Sequence, residues 1–212
     1  NAALLDEISG GRAYLGIGRG AFLDFLEVQT PRPISAVREA VELARRLWRG
    51  DRTAYHGRVF HATESAHLMW EPERTDIPIM VGTWGPKMCR MAGTLANEVK
   101  AGAMWSATYA NHMWEHIEAG ARDAGRDPAE VGLVLGPLTS ISENREEART
   151  FAQRTLAFYL PYLTPMPEFV GVEAEAIARV QAATAGGDVD AAAALVPDLA
   201  LEHFALYGSP HD

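Results

Sequence analysis

The feature that most constrains this chain is an alternation of two periodicities. Short apolar runs bounded by glycine or proline alternate with longer stretches whose apolar residues step by three and four. That alternation builds a mainly parallel sheet whose strands are joined by helices. The first run, 12–18, carries Tyr14, Leu15 and Ile17 between glycine clusters, and a helix is predicted from Pro33, with Ile34, Val37, Val41, Ala44 and Trp48 on one face and Gly50 as its stop. Residues 52–70 break the rhythm and read as an inserted hairpin turning at His56-Gly57. Strands are then predicted over 77–81, 99–104 and 132–141. The helices between them carry Met88, Met91, Ala92 and Leu95, then 108–124, then Ala148, Phe151 and Leu156 behind Ser142 as N-cap. Beyond Pro161, two further helices are expected, 168–184 and 188–207.

Composition fits a folded catalytic or binding domain. The 212 residues hold 48% hydrophobic side chains, with 19 Lys plus Arg against 28 Asp plus Glu, a formal net charge of −9. An acidic chain with dispersed cations is a poor partner for nucleic acid, and no apolar run approaches the roughly 20 residues that span a bilayer. With Cys89 alone, no intrachain disulfide can form, so a reduced, cytoplasmic setting is the simplest reading. The chain opens without Met on what reads as the end of an amphipathic helix. It is expected to be a fragment with open strand edges, a state compatible with a homodimer.

Four local patterns could carry chemistry. Gly16-Ile17-Gly18-Arg19-Gly20-Ala21 follows a strand, but no helix opens at once and no acidic strand end follows, so a dinucleotide fingerprint does not fit its context. Either these glycines only permit a tight strand exit, or the strand end lines a site with Arg19 offered to an anion. Gly82-Thr83-Trp84-Gly85-Pro86-Lys87 passes from strand to helix with Pro86 near the first helical position. The amides of such an end attract phosphate, with Lys87 and Arg90 beside it, although a solvated turn gives the same pattern. His112-Met113-Trp114-Glu115-His116 has zinc-protease spacing, but a third ligand must come from elsewhere and helical His pairs arise often by chance on exposed faces, so no metal is assigned. Cys89 lies in a Met-rich helical stripe and reads as core. Trp84 and Trp105, with Met104, follow strands and could wall a pocket for a flat ring, or could equally pack the core.

Taken in order, these stretches resemble the luciferase-like monooxygenase superfamily, and within it the coenzyme F-420-dependent, methylenetetrahydromethanopterin-reductase-like oxidoreductases. The resemblance is carried by Leu4-Leu5-Asp6-Glu7-Ile8-Ser9-Gly10-Gly11-Arg12, Leu15-Gly16-Ile17-Gly18-Arg19-Gly20, Thr30-Pro31-Arg32-Pro33, Leu47-Trp48-Arg49-Gly50, Tyr55-His56-Gly57, Ile77-Pro78-Ile79, Gly85-Pro86-Lys87 and Gly208-Ser209-Pro210. It implies an α/β fold, a (β/α)8 TIM-type barrel that is incomplete here: a single domain over 1–212, truncated at both ends, holding the central and later strand-helix units. It implies a deazaflavin, coenzyme F-420, exchanging hydride with a small organic substrate; an FMN-dependent monooxygenase and a non-catalytic flavin-binding relative are the alternatives. By position it places Gly18, Arg19 and Asp24 near the cofactor and Gly82, Thr83, Gly85 and Pro86 around its phosphate, to which the charge of Lys87 at the helix end is added as a cofactor-binding residue. Trp84, Met104 and Trp105 are expected in the substrate pocket, while the catalytic groups stay unassigned. Ala21 stands where some related deazaflavin enzymes carry a proton-donating glutamate, which counts against that acid chemistry here.

Overall fold

The structure is a computed structural model that describes the backbone of residues 1–212 and all side chains except those of Asp24 and Phe25. The chain divides into two units, Asn1–Lys100 with Glu115–Leu133, and Ala101–Trp114 with Val134–Asp212.

In the first unit, helix α1 (Ala2–Ile8) leads into strand β1 (Leu15–Gly18). The buried Asp6 carboxylate joins the two. It accepts from Arg74 Nε at 3.0 Å and Nη2 at 2.6 Å and from the Ala13 N–H at 3.3 Å. Helix α2 (Pro33–Trp48) opens with Pro at its first turn and buries Val37, Glu39, Val41 and Trp48. A carboxylate on a buried face needs donors, and Glu39 finds three, the N–H groups of Arg58, Val59 and Phe60 at 2.8, 2.9 and 2.9 Å. Those amides belong to the connection between strands β2 (Tyr55–His56) and β3 (His61–Ala62), which pair antiparallel. The predicted turn at His56-Gly57 therefore lies one step later, over 57–60, because the Glu39 carboxylate gathers that stretch of backbone around itself.

Strand β4 (Ile79–Gly82) pairs parallel with β1, residue for residue from Leu15↔Ile79 to Gly18↔Gly82. Helix α3 (Pro86–Leu95) returns the chain to strand β5 (Glu98–Gly102), parallel to β4. Asn97 sets that register, since its side chain accepts from the Ile79 N–H at 2.9 Å while its own N–H donates to the Ile79 carbonyl at 2.8 Å. Helix α4 (Ala107–Asp123) runs through both units. Its second half crosses α3 at Gly93 and Gly120, where an added Cβ would run into the backbone carbonyls of Ile117 and Arg90. The four-stranded sheet has the order β1-β4-β5-β6, with β6 spanning Gly132–Gly136. Ile77, Ile79, Val81, Val99, Cys89 and Ile117 are core residues of this unit.

The second unit holds a second parallel pair, β7 (Leu138–Ile141) and β8 (Ala205–Gly208). The single strand predicted over 132–141 is thus two, divided at Pro137, which has no N–H to continue a ladder. Helix α5 (Arg145–Tyr159) is capped by Asn144 rather than Ser142. The Ser142 hydroxyl accepts from the Asn144 N–H at 3.2 Å and donates to Glu147 at 3.0 Å, which ties the approach to the helix. The two long helices expected at the end are four short ones and a strand. Helix α6 (Met166–Phe169) stops before Gly171 at φ 94°, and α7 (Ala174–Ala185) stops at Gly186-Gly187. Helices α8 (Val189–Ala194) and α9 (Asp198–Phe204) are separated at Pro197, and β8 follows at once. The fold is the expected α/β class, with helices between parallel strands, and no ladder closes a ring among the described residues.

Candidate cofactor site at the strand ends

The site is built on the C-terminal ends of β1 and β4, the end at which loops of α/β proteins gather ligands. Gly18 and Gly82 stand side by side there, and a Cβ on Gly18 would lie 3.1 Å from the Gly82 carbonyl oxygen. The floor is therefore bare backbone. Thr83 continues past Gly82 with its N–H on the Lys100 carbonyl at 2.9 Å, and its hydroxyl accepts from the Gly85 N–H at 3.2 Å. That pair of bonds shapes the turn that delivers Gly85 as the N-cap of α3.

The N-terminus of α3 carries no side-chain cap and no acidic residue in its first turn. Pro86 brings no N–H, and the helix's own bonding begins with Cys89 N–H on the Gly85 carbonyl at 2.9 Å. The Lys87 and Met88 amides thus precede the first intrahelical bond and face outward with the positive end of the helix dipole. Gly85 has φ −77° and ψ 137°, open to any residue, and an added Cβ would meet no atom within 4 Å. Neither conformation nor crowding by this chain calls for glycine there. What a side chain would occupy is the space in front of the helix end. Lys87 is exposed beside it. Arg90, expected to share that role, is instead held in an ion pair by Asp123.

Beyond β1, Arg19 is exposed and Gly20 turns at φ 94°. Asp24 lies outside the described side chains. Trp84 is half-buried in the same loop as Thr83 and Gly85. The structure thus places Gly18, Gly82, Thr83, Gly85, Pro86 and Lys87 on two adjacent strand ends, with Arg19 one residue further along β1's exit. Met104 and Trp105 belong to the second unit. Met104 is fully buried, its sulfur accepting from the Ser106 N–H at 3.1 Å, so its side chain is core and not a pocket surface. Trp105 is 48% exposed and held by its backbone N–H on the His203 carbonyl at 2.7 Å.

Sequence reasoning missed one property of these loops. Among the described residues, the non-glycine residues with left-handed φ are Phe22 at 55°, Glu27 at 54° and Ala103 at 52°. Phe22 lies in the loop after β1, Ala103 directly after β5, and Glu27 directly after the 3-10 turn Leu23–Leu26; backbone held in that region costs roughly 1–3 kcal/mol. No residue type announces it, since none of the three favours that region.

The other sequence candidates fall elsewhere. Cys89 is fully buried and burial pushes its thiol up to about 12, which leaves no thiolate for nucleophilic work. The His112 ring stacks on Phe169 with centroids 4.4 Å apart, edge-on to Tyr109 at 5.6 Å. Among the described residues no set of three His, Cys, Asp or Glu could hold a metal ion, and no helix is long and apolar enough to cross a membrane.

Parallel strands joined by helices define an α/β architecture, with an uncapped helix end beside two strand C-termini. The family model for luciferase-like monooxygenases matches residues 1–212, and the chain belongs to that family. Among curated proteins it is 32% identical to a 5,10-methylenetetrahydromethanopterin reductase of Methanolobus tindarius, over 98% of this chain and 64% of that protein. It is 25% identical to a coenzyme F-420-dependent glucose-6-phosphate dehydrogenase of Microbacterium testaceum, over 65% of this chain and 42% of that one. Among solved structures it matches the coenzyme F-420-dependent tetrahydromethanopterin reductase of Methanopyrus kandleri with a TM-score of 0.86 and 27% identity, covering 99% of this chain and 65% of that chain. The chain thus spans 64% of the length of the first of these relatives.

Proposed function

We propose that this chain supplies the phosphate side of a site at which coenzyme F-420 exchanges hydride with a small organic substrate, making the whole protein a deazaflavin-dependent oxidoreductase. The observation that carries the reading is the α3 end: outward amides at Lys87 and Met88, no cap, no acid, and open space at Gly85 above the Gly18-Gly82 floor. A phosphate-bearing cofactor fits this donor set, because every group offered is a hydrogen-bond donor or a cation. The bound deazaflavin supplies the two-electron hydride chemistry. The protein's own part is to seat the phosphate with the Lys87 ammonium and the two amides, to leave the backbone at Gly82 and Gly85 approachable, and to hold Thr83 so that the loop keeps its shape. Arg19, Asp24 and Trp84 are assigned to the cofactor ring and substrate side on the family resemblance. No general acid is assigned.

FMN also ends in a phosphate, so the anion seat serves either cofactor, and the order between them rests on the names of the relatives. Titrating the protein separately with coenzyme F-420 and with FMN, read by absorbance and fluorescence, tests this order. Saturable binding of coenzyme F-420 is expected. Tight FMN with no deazaflavin binding would reverse the assignment, and binding of neither would return the loop to an ordinary strand-to-helix turn.

A further inference from the structure

A second concavity lies in the first unit, away from these strand ends. It is a cleft of about 610 Å³ between the end of α2 and the segment that precedes β4, within the roughly 300–1,000 Å³ usual for small-molecule sites. Arg49, Arg52, Leu47, Leu68 and Trp70 are among its lining residues, together with one carboxylate, Glu71. Thr75 also lines it, four residues before Ile79 begins β4, whereas Gly82 and Gly85 sit at and beyond that strand's other end.

Its lining offers two guanidinium groups against one carboxylate, in a chain with a formal net charge of −9. Several other arginines are committed to carboxylates, as Arg46 is to Asp51, Arg74 to Asp6, Arg90 to Asp123 and Arg154 to Asp190. Among the described residues, the guanidinium groups of Arg49 and Arg52 stand in no hydrogen bond or ion pair, Arg49 bonding only through its backbone N–H to the Arg45 carbonyl at 3.1 Å. Arg45, one turn before Arg49, donates to the Leu95 carbonyl at 2.6 Å and not to a carboxylate. Burial, and after it the charges of Arg126 and Arg49, push its pKa below the ordinary arginine range. The apolar wall is fixed in place as well. Trp70 is 39% exposed, yet its Nε1 donates to Glu7 at 2.9 Å, which sets the ring's orientation before any ligand arrives.

We propose that this cleft is a second ligand site, taking a small organic anion with a flat apolar body whose carboxylate or phosphate is held by Arg49 and Arg52 and whose ring lies against Trp70. The site goes beyond the deazaflavin reading and shares no residue with it. Two guanidinium groups suit a planar anion, because each presents a fork of donors, and a half-exposed indole supplies a stacking face.

The test is calorimetric titration of the intact chain with naphthalene-2-carboxylate, with its neutral carboxamide, and with the same probe in Arg49→Gln, Arg52→Gln and the double variant. Both arginines are exposed, so these changes leave the fold in place, which thermal melting confirms. One site is expected, binding the carboxylate about tenfold or more tighter than the amide, with each glutamine weakening it about tenfold and added salt weakening it further. Equal binding of carboxylate and amide, no change in the double variant, or no binding at millimolar probe would each overturn the proposal. Gly85→Asp separates the two sites: it should leave naphthoate binding unchanged, and loss of binding there would place the probe at the strand ends and sink the second site.

Discussion

Gly85 stands where its Cβ would meet only open space, so substitution there tests the space and not the fold. Aspartate is as good an N-cap as glycine or better, so Gly85→Asp should keep or raise the melting temperature while it abolishes cofactor binding through bulk and like charge. Melting and ligand titration on one sample check both halves. Lys87→Ala should weaken the cofactor by about 1.5–3 kcal/mol, roughly ten- to a hundredfold, if its ammonium meets the phosphate. Because Lys87 is exposed, that loss should shrink in high salt, whereas the Gly85→Asp effect should not. A phosphate-free ring analogue that responds equally to both changes would place the phosphate elsewhere. Cys89 gives a separate check: with its thiol pushed up to about 12, native protein at pH 8 should resist iodoacetamide and react only on unfolding.

At the scale of elements, the turn of the β2-β3 hairpin is held by the Glu39 carboxylate of α2, while Glu42 of the same helix accepts from the Tyr55 hydroxyl at 2.7 Å. Burial raises the pKa of Glu39, but the three N–H groups from Phe60, Val59 and Arg58, and then the charge of His61, outweigh burial and hold it below the ordinary range. A carboxylate lowered in the folded state stabilises fully above its unfolded value, about 4.3, and loses that contribution as pH falls through the lower folded value. Hydrogen exchange at the amides of Arg58, Val59 and Phe60 should therefore be slow at pH 6. Their protection should collapse below about pH 4 ahead of the β1-β4 ladder, and Glu39→Gln should remove the pH dependence. The α3-α4 crossing tests close packing. Gly93→Ala or Gly120→Ala drives a methyl into a backbone carbonyl that no rotamer can move aside, and each should cost at least ~1–3 kcal/mol in denaturant unfolding.

At the scale of the whole molecule, β1 is an edge of its four-stranded sheet, next to a helix whose Leu5 and Ile8 are 60% and 75% exposed. An unpaired edge beside apolar surface favours association, while the net negative charge opposes it. Sedimentation of this chain alone should show concentration-dependent self-association that Leu5→Glu with Ile8→Glu reduces. A monomer at every concentration would show that charge repulsion wins.

The sequence alone determined what local chemistry controls. Helix α2 runs from Pro33 to Trp48 as its apolar spacing, Pro start and Gly50 stop require, and the Gly82–Pro86 turn follows from glycine and proline placement. The parallel α/β class was legible for the same reason, since strand and helix periods differ along the chain. Tertiary structure decided the rest. Ala205-Leu206-Tyr207 continues a helical pattern as readily as a strand, and it became β8 because β7 offers it a ladder. Nothing local sets Glu39 apart from the other polar residues of α2, and only the amides of a hairpin some 20 residues away make it a buried anchor. Gly93 and Gly120 carry no local turn, and only the approach of two helices shows why no side chain fits there. In each case the deciding partner is distant in sequence, so its energy is absent from any window of residues read in order.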